Sequence, residues 1–169
     1  MKWVAISGSW RRSSPEIVQD VRDDVADVIE RGNGIVIGGA LGVDYVATEE
    51  AIKRNPEADR ITIILTTTLD IYAAHYRKRA DEGVITLEQS EALIGLLSTV
   101  KQRREQSLIE MGHSILNEES YYDRNTKVLE DADQLLAFQV NSSLGTQDTI
   151  DKALSMGMPV MQKQYTIDT

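Results

Sequence analysis

The sequence predicts a doubly wound α/β domain, a mainly parallel sheet with helices on both faces, and three observations predict it. Short runs of β-branched and aliphatic residues alternate with longer stretches whose apolar positions recur at helical spacing. The turns between them are short and polar, and in a β-α-β-α-β order the handedness of crossover connections then makes the strands parallel. One of those turns, Gly38-Gly39-Ala40-Leu41-Gly42, joins a strand-like run directly to a helix-like one.

Trp3-Val4-Ala5-Ile6 reads as a first buried strand. After a polar loop at residues 7–14 comes Pro15, suited to a first helical position because the N–H it lacks would have no helical partner there. Ile17, Val21, Val25, Val28 and Ile29 supply the apolar face of that helix, and Glu16, Asp20, Asp23, Asp24, Asp27 and Glu30 its solvated one. Arg31-Gly32-Asn33-Gly34 stops it. Residues 35–37 make the second strand, 43–54 the second helix and 61–65 the third strand. The stretch 70–120 breaks this rhythm and is expected as a helical insertion, with Thr86 and Gln89 in capping-box spacing ahead of Leu93, Leu96, Leu97 and Val100. A short helix at 125–130, a strand at 134–138, a helix at 145–156 closed by Gly157 and a last strand at 159–161 complete the expected order.

With 169 residues, 41% of them hydrophobic, the chain is expected to fold as one domain over residues 1–169. No apolar run approaches the roughly 18 residues of a membrane span, and the N-terminus turns polar at Ser7, too early for a signal-peptide core. A cytoplasmic protein with no membrane partner is the expectation. The absence of cysteine excludes disulfides, thiolate metal sites and a cysteine nucleophile. With His75 and His113 as the only histidines, no metal and no cofactor are expected. A net charge of −9 repels polyanions at long range and disfavours non-specific nucleic-acid binding, unless a local basic cleft overrides it. Assembly into a homo-oligomer stays open.

In an open parallel sheet, ligands bind beyond the carboxyl ends of the strands, near the point where strand order reverses. The loops at 7–14, 38–44, 66–70 and 139–146 fall there, and each is rich in glycine or hydroxyl groups. A glycine turn opening a helix offers backbone N–H groups and a positive dipole end to an anion. The candidate ligand-binding residues are therefore Gly8, Ser9 and Arg11 in the first loop and Gly38, Gly39, Ala40, Gly42, Val43 and Asp44 in the second. Gly145 and Thr146 join them from the last loop. Neither the dinucleotide-binding nor the Walker spacing is present. Asp44 reads either as fastening the first helical turn or as accepting from a ribose hydroxyl. Arg11 and Arg12 read as a solvated turn or as a lid, and Trp10 as packed on the core or as a surface for a base. Tyr72, His75, Tyr76, Arg77, Lys78 and Arg79 form a secondary aromatic and basic candidate cluster.

Several of these strings together resemble a known family. Val4-Ala5-Ile6-Ser7-Gly8-Ser9, Gly38-Gly39-Ala40-Leu41-Gly42-Val43-Asp44, Thr62-Ile63-Ile64-Leu65 with Leu69-Asp70-Ile71-Tyr72, Arg124-Asn125, and Thr149 through Ala153-Leu154 to Gly157-Met158-Pro159-Val160 occur in the order found in the Rossmann-like domain of the DNA-processing protein DprA (Smf). The likeness spans nearly the whole chain and extends to a wider superfamily that includes cytokinin-activating phosphoribohydrolases and stand-alone nucleotide sensors. It implies a pocket for nucleotide or single-stranded nucleic-acid phosphates, with Arg124 and Asn125 at the ligand. Read without the resemblance, Arg124 is an ion-pair partner for Asp123 or a phosphate clamp.

The departures from the family are specific. Thr66-Thr67-Thr68 stands where a glycine is usual, the charge is acidic, and the length is expected to leave no room for the further domains often joined to DprA. The hydrolytic relatives carry Gly-Gly-x-Gly-Thr-x-x-Glu, whereas the corresponding stretch here ends Gly145-Thr146-Gln147-Asp148-Thr149. Thr149 thus takes the place of the glutamate and no catalytic residue is assigned, although Asp148 and Asp151 lie close in sequence. The expected function is non-catalytic binding or sensing of a nucleotide or nucleotide-derived phosphate. The alternatives are DprA-like single-stranded DNA binding and nucleotide N-glycosidase chemistry.

Overall fold

The computed structural model describes residues 1–168. The chain runs β1 (Trp3–Gly8), α1 (Pro15–Glu30), β2 (Gly34–Gly38), α2 (Val43–Arg54), β3 (Ile61–Leu65), α3 (Leu69–Asp81), α4 (Leu87–Arg103), β4 (Leu108–Glu110), α5 (Glu118–Glu130), β5 (Gln134–Val140), α6 (Leu144–Ser155) and β6 (Val160–Tyr165). The strands form one parallel sheet in the order β4-β3-β2-β1-β5-β6. This is the expected doubly wound α/β architecture. Val4 and Ile6 belong to the core cluster that also holds Ile17, Val21 and Val25 of α1 and Leu93 and Leu97 of α4. Ala5, pointing the other way, packs with Val128 and Leu129 of α5 and Ile150 and Ala153 of α6.

Local sequence explains the helix ends. The Ser14 hydroxyl accepts from the Ile17 N–H at 3.3 Å, and Pro15 follows it into α1. At the start of α4, the Thr86 hydroxyl accepts from the Gln89 N–H at 3.0 Å while the Gln89 side chain accepts from the Thr86 N–H at 2.9 Å. Gly157, at φ +70°, turns the chain out of α6, and the Met158 N–H closes on the Ala153 carbonyl.

Three elements differ from the sequence reading. The helical insertion ends in a strand, β4, which pairs with β3 from Ile63↔Leu108 to Leu65↔Glu110. Three residues are too few to show an alternating pattern, and long-range bonds set the strand in place: the Leu69 N–H donates to the Glu110 carboxylate at 2.6 Å and Lys101 binds it at 3.2 Å. The helix expected at 125–130 begins seven residues earlier, at Glu118, because Asn117 and Ser120 form a reciprocal cap. The last strand continues to Tyr165, where the Tyr165 hydroxyl donates to Asp20 and Lys163 pairs with Asp24, both acids on α1.

Strand order reverses at β1, which lies between β2 and β5. The segments leaving β1, β2 and β5 therefore diverge and leave a crevice between them.

Candidate functional site

A cavity of about 730 Å³ occupies that crevice. The loop after β1 supplies Gly8, Ser9 and Arg11, the turn after β2 supplies Gly38, Ala40 and Asp44, α5 supplies Arg124 and Asn125, and the start of α6 supplies Gly145 and Thr146. The fold thus brings together most of the residues singled out in the sequence. Gly39, Gly42 and Val43 are not in the lining, and the reason is packing. Any Cβ on Gly39 would press against Leu65, Leu97 and Ile63. Gly42, at φ +72°, lies beneath the Ser9 carbonyl and the Trp10 backbone, where any side chain would collide. The Val43 N–H donates to the Ser9 carbonyl at 3.0 Å, and its side chain packs against Gly8. These three residues fasten the loop after β1 to α2.

The helix starts that border the crevice differ in how their first amides are engaged. At the start of α2, the Val43 N–H is committed to Ser9 and the Ala40 N–H to the Asp44 carboxylate, at 3.3 Å, while the Asp44 and Tyr45 amides have no acceptor among the described residues. At the start of α6, the N-cap Ser143 side chain caps no amide, and its hydroxyl donates instead to Thr146 Oγ1 at 3.0 Å. The first amide of α6 with an internal acceptor is that of Gln147, bound to the Ser143 carbonyl. The Leu144, Gly145 and Thr146 amides thus have no acceptor among the described residues.

Arg124 is 7% exposed. Its guanidinium lies over Gly38, where a Cβ would come within 2.5 Å of Cζ, so glycine at the end of β2 is what admits the arginine. Its Nε donates to Asn125 Oδ1 at 3.3 Å, and its Cζ stands 5.3 Å from the centre of the Tyr121 ring. Buried Nη1 has no protein partner. The ion pair with Asp123 does not form, since Asp123 faces His113 at 3.5 Å. Arg124 thus lines the cavity as a buried guanidinium whose Nη1 has no hydrogen-bond partner in the protein.

Asp44 is equally buried. Desolvation raises its carboxyl from 3.8 to about 6, against the opposing pull of Arg124 and of the Ala40 N–H. The secondary cluster divides. Tyr72 is core, its hydroxyl donating to the Gly39 carbonyl at 2.8 Å, whereas His75, Tyr76 and Arg79 line the cavity. Arg77 and Lys78 pair with Glu91 and Glu82. At the mouth, Trp10 is 40% exposed and carries the Arg11 guanidinium 4.5 Å from its ring centre. The sequence reading missed Tyr122, Leu116, Ile85 and Ser143, all of which line the cavity. The one signal for Tyr122 was its place in Tyr121-Tyr122, separated from Arg124 by Asp123 alone.

Thr149 lines the cavity with its hydroxyl donating to the Gly145 carbonyl at 3.2 Å. Asp148 pairs with Lys152 at 2.9 Å, Asp151 accepts from Gln147, and neither is in the lining. Among the charged lining residues are the arginines 11, 12, 79 and 124 against the carboxylates of Asp44 and Glu118, an inversion of the chain's overall −9. Among the described residues no group of three or more histidines and acids is placed to hold a metal ion, and no helix is long and apolar enough to cross a membrane.

No family model and no curated protein matches the chain. Solved structures do. DNA processing protein A from Helicobacter pylori, described for its single-stranded DNA binding mode, aligns with a TM-score of 0.67 at 20% identity over 95% of this chain. This chain spans 64% of that one's length. The molybdenum cofactor binding protein from the phototrophic bacterium Rippkaea orientalis aligns with a TM-score of 0.60 at 16% identity, over 97% of this chain and 77% of that one. At such identities the likeness is one of fold, the Rossmann-like fold shared with DprA.

Proposed function

We propose that the protein binds a nucleotide or nucleotide-derived phosphate in the crevice at the end of β1, acting as a binding or sensing module. The observation that carries this reading is Arg124, a cavity-lining residue buried over Gly38 with its Nη1 unpartnered in the protein. The free amides at the start of α6 supply a second set of donors in the same cavity, and the helix dipole adds to them. Trp10, Tyr76, Tyr121 and Tyr122 give the walls the aromatic surface that a nucleobase stacks on. A carboxylate placed to attack an N-glycosidic bond from α6 is not supplied by Thr149, Asp148 or Asp151, which favours binding over hydrolysis.

The test is calorimetric titration of the wild type, Arg124→Ala and Arg124→Lys with nucleoside monophosphates. Loss of hydrogen bonds to a charged group is expected to weaken binding by about 1.5 to 3 kcal/mol in the alanine variant. Lysine is expected to restore part of it, because a point charge lacks the planar fork. Equal affinity in all three proteins would remove Arg124 from the site.

A second reading, single-stranded DNA bound across the mouth, draws on Arg11, Arg12 and Arg79, which lie around the opening. It differs measurably: affinity for an oligonucleotide would fall steeply with salt and exceed that for a mononucleotide.

A further inference from the structure

The cavity floor holds two buried charged side chains, Asp44 and Arg124, each 7% exposed. They attract one another through space but make no nitrogen–oxygen contact within 4.0 Å. Asp44 Oδ2 accepts from the Ala40 N–H, and Oδ1 has no hydrogen-bond partner among the described residues. An ionised oxygen out of bulk water is costly unless something donates to it. Fastening the Ala40 amide does not require a charge, since the neutral oxygen of an asparagine would do the same. Oδ1 is not among the sealed, unpartnered atoms and belongs to a residue that lines the cavity, where water satisfies it in the free protein. Like charge would repel a ligand's phosphate, so the ligand group suited to replace that water is a neutral donor.

The sheet places that donor. Asp44 lies beyond β2 and the free amides of α6 beyond β5, with β1 between them, so two strand spacings, about 10 Å, separate the two at the backbone. The side chains of Asp44 and Arg124 reach in from the β2 side, and Gly8 and Ser9 form the floor between. A phosphate against α6 and Arg124 with its sugar over the end of β1 would turn the sugar hydroxyls toward Asp44. Glu118, the other carboxylate of the lining, is exposed and engaged with the Tyr122 hydroxyl.

From this arrangement, and resting on the nucleotide reading above, we infer that Asp44 accepts a hydrogen bond from a ribose hydroxyl and so selects ribonucleotides over deoxyribonucleotides and over bare phosphate. Asp44 is a specificity residue, and the cavity is a ribose phosphate site.

The experiment titrates wild type and Asp44→Asn with adenosine, guanosine, cytidine and uridine 5′-monophosphates, their 2′-deoxy and 2′,3′-dideoxy counterparts, and inorganic phosphate, with far-UV dichroism confirming the fold of the variant. In the wild type, the ribonucleotide is expected to bind about tenfold or more tightly than the dideoxynucleotide, the scale of one hydrogen bond to a charged group. Asp44→Asn is expected to shrink that ratio several-fold. Because the wild type alone shows the preference, the inference stays testable even if the variant does not fold. Equal affinity of wild type for ribo-, deoxy- and dideoxynucleotides overturns the assignment of Asp44 and leaves the nucleotide reading intact. Failure of every nucleotide and of phosphate to bind overturns both. Release of free base, abolished in Asp44→Asn, would also overturn it by making the carboxylate a catalytic residue.

Discussion

Asp44→Asn is expected to stabilise the protein at neutral pH while impairing its ligand site. In the folded state the carboxyl titrates near 6 instead of 3.8, so the folded protein holds that proton more tightly than the unfolded chain does. Between these values the native state binds more protons, and stability falls as pH rises. The contribution is fully present below about pH 3.8 and lost by the time pH has risen through about 6. Two units correspond to roughly 3 kcal/mol, net of the attraction from Arg124 and the Ala40 N–H that already opposes the shift. Asparagine mimics the protonated acid and keeps an acceptor for Ala40, so most of that difference is expected to reappear as added stability of the variant at pH 8. The groups facing Asp44 are Arg124, which stays charged throughout, and Tyr76, whose hydroxyl is pushed up to about 12 and stays neutral. Other carboxylates act in the opposite sense: Glu110 and Asp59 are held below their ordinary values and are stabilising above them. The quantity to measure is therefore the difference between variant and wild type in urea denaturation, from pH 4.5 to 8. It is expected to grow with pH by about 1 to 3 kcal/mol. A difference independent of pH, or a variant less stable at pH 8 than at pH 5 relative to wild type, would refute the account of Asp44 as a charge kept at a cost to stability.

The other predictions concern the two helix ends and the chemistry. Ser143→Asp places a carboxylate on the open amides of α6 and is expected to raise thermal stability by about 0.3 to 1 kcal/mol while abolishing nucleotide-induced stabilisation, both read from melting curves with and without ligand. Gly39→Val is expected to cost about 1 to 3 kcal/mol in urea denaturation, because its side chain enters the space of Leu65 and Leu97 and not the cavity. Incubation with nucleoside monophosphates is expected to release no free base by chromatography, and Asp148→Asn and Asp151→Asn are expected to leave that result and the binding unchanged.

Much of the fold was legible because its signals are local. The apolar face of α1, the Thr86 cap and Gly157 each announce an element boundary within a few residues. β4 was not legible, since three residues held through Glu110 and Lys101 depend on partners far along the chain. The same distinction runs through the site. Glycines at the ends of strands were readable as close approaches, but what approaches them was not. Gly42 meets the Ser9 backbone, Gly39 the core, and Gly38 a guanidinium from α5. A glycine turn before a helix resembles an anion site in sequence however many of its amides are already taken, and the Ser9 carbonyl on the Val43 N–H shows that this turn also holds the loop after β1. α6, opened by Ser143-Leu144-Gly145, carries the free amides with a weaker sequence signal.

The seating of Arg124 over Gly38 has a consequence for how this chain can change over generations. The two positions, distant in sequence, form one heritable unit: a side chain at 38 would displace the arginine from its present seat, and the arginine keeps that seat only while position 38 is glycine. A lineage that stopped using the cavity and lost Arg124 would find position 38 released, free to drift to alanine or larger and fill the vacated space. Retention of both residues in a descendant would mark a lineage still selected for the seated arginine, and loss of the glycine would record that this seat had been given up.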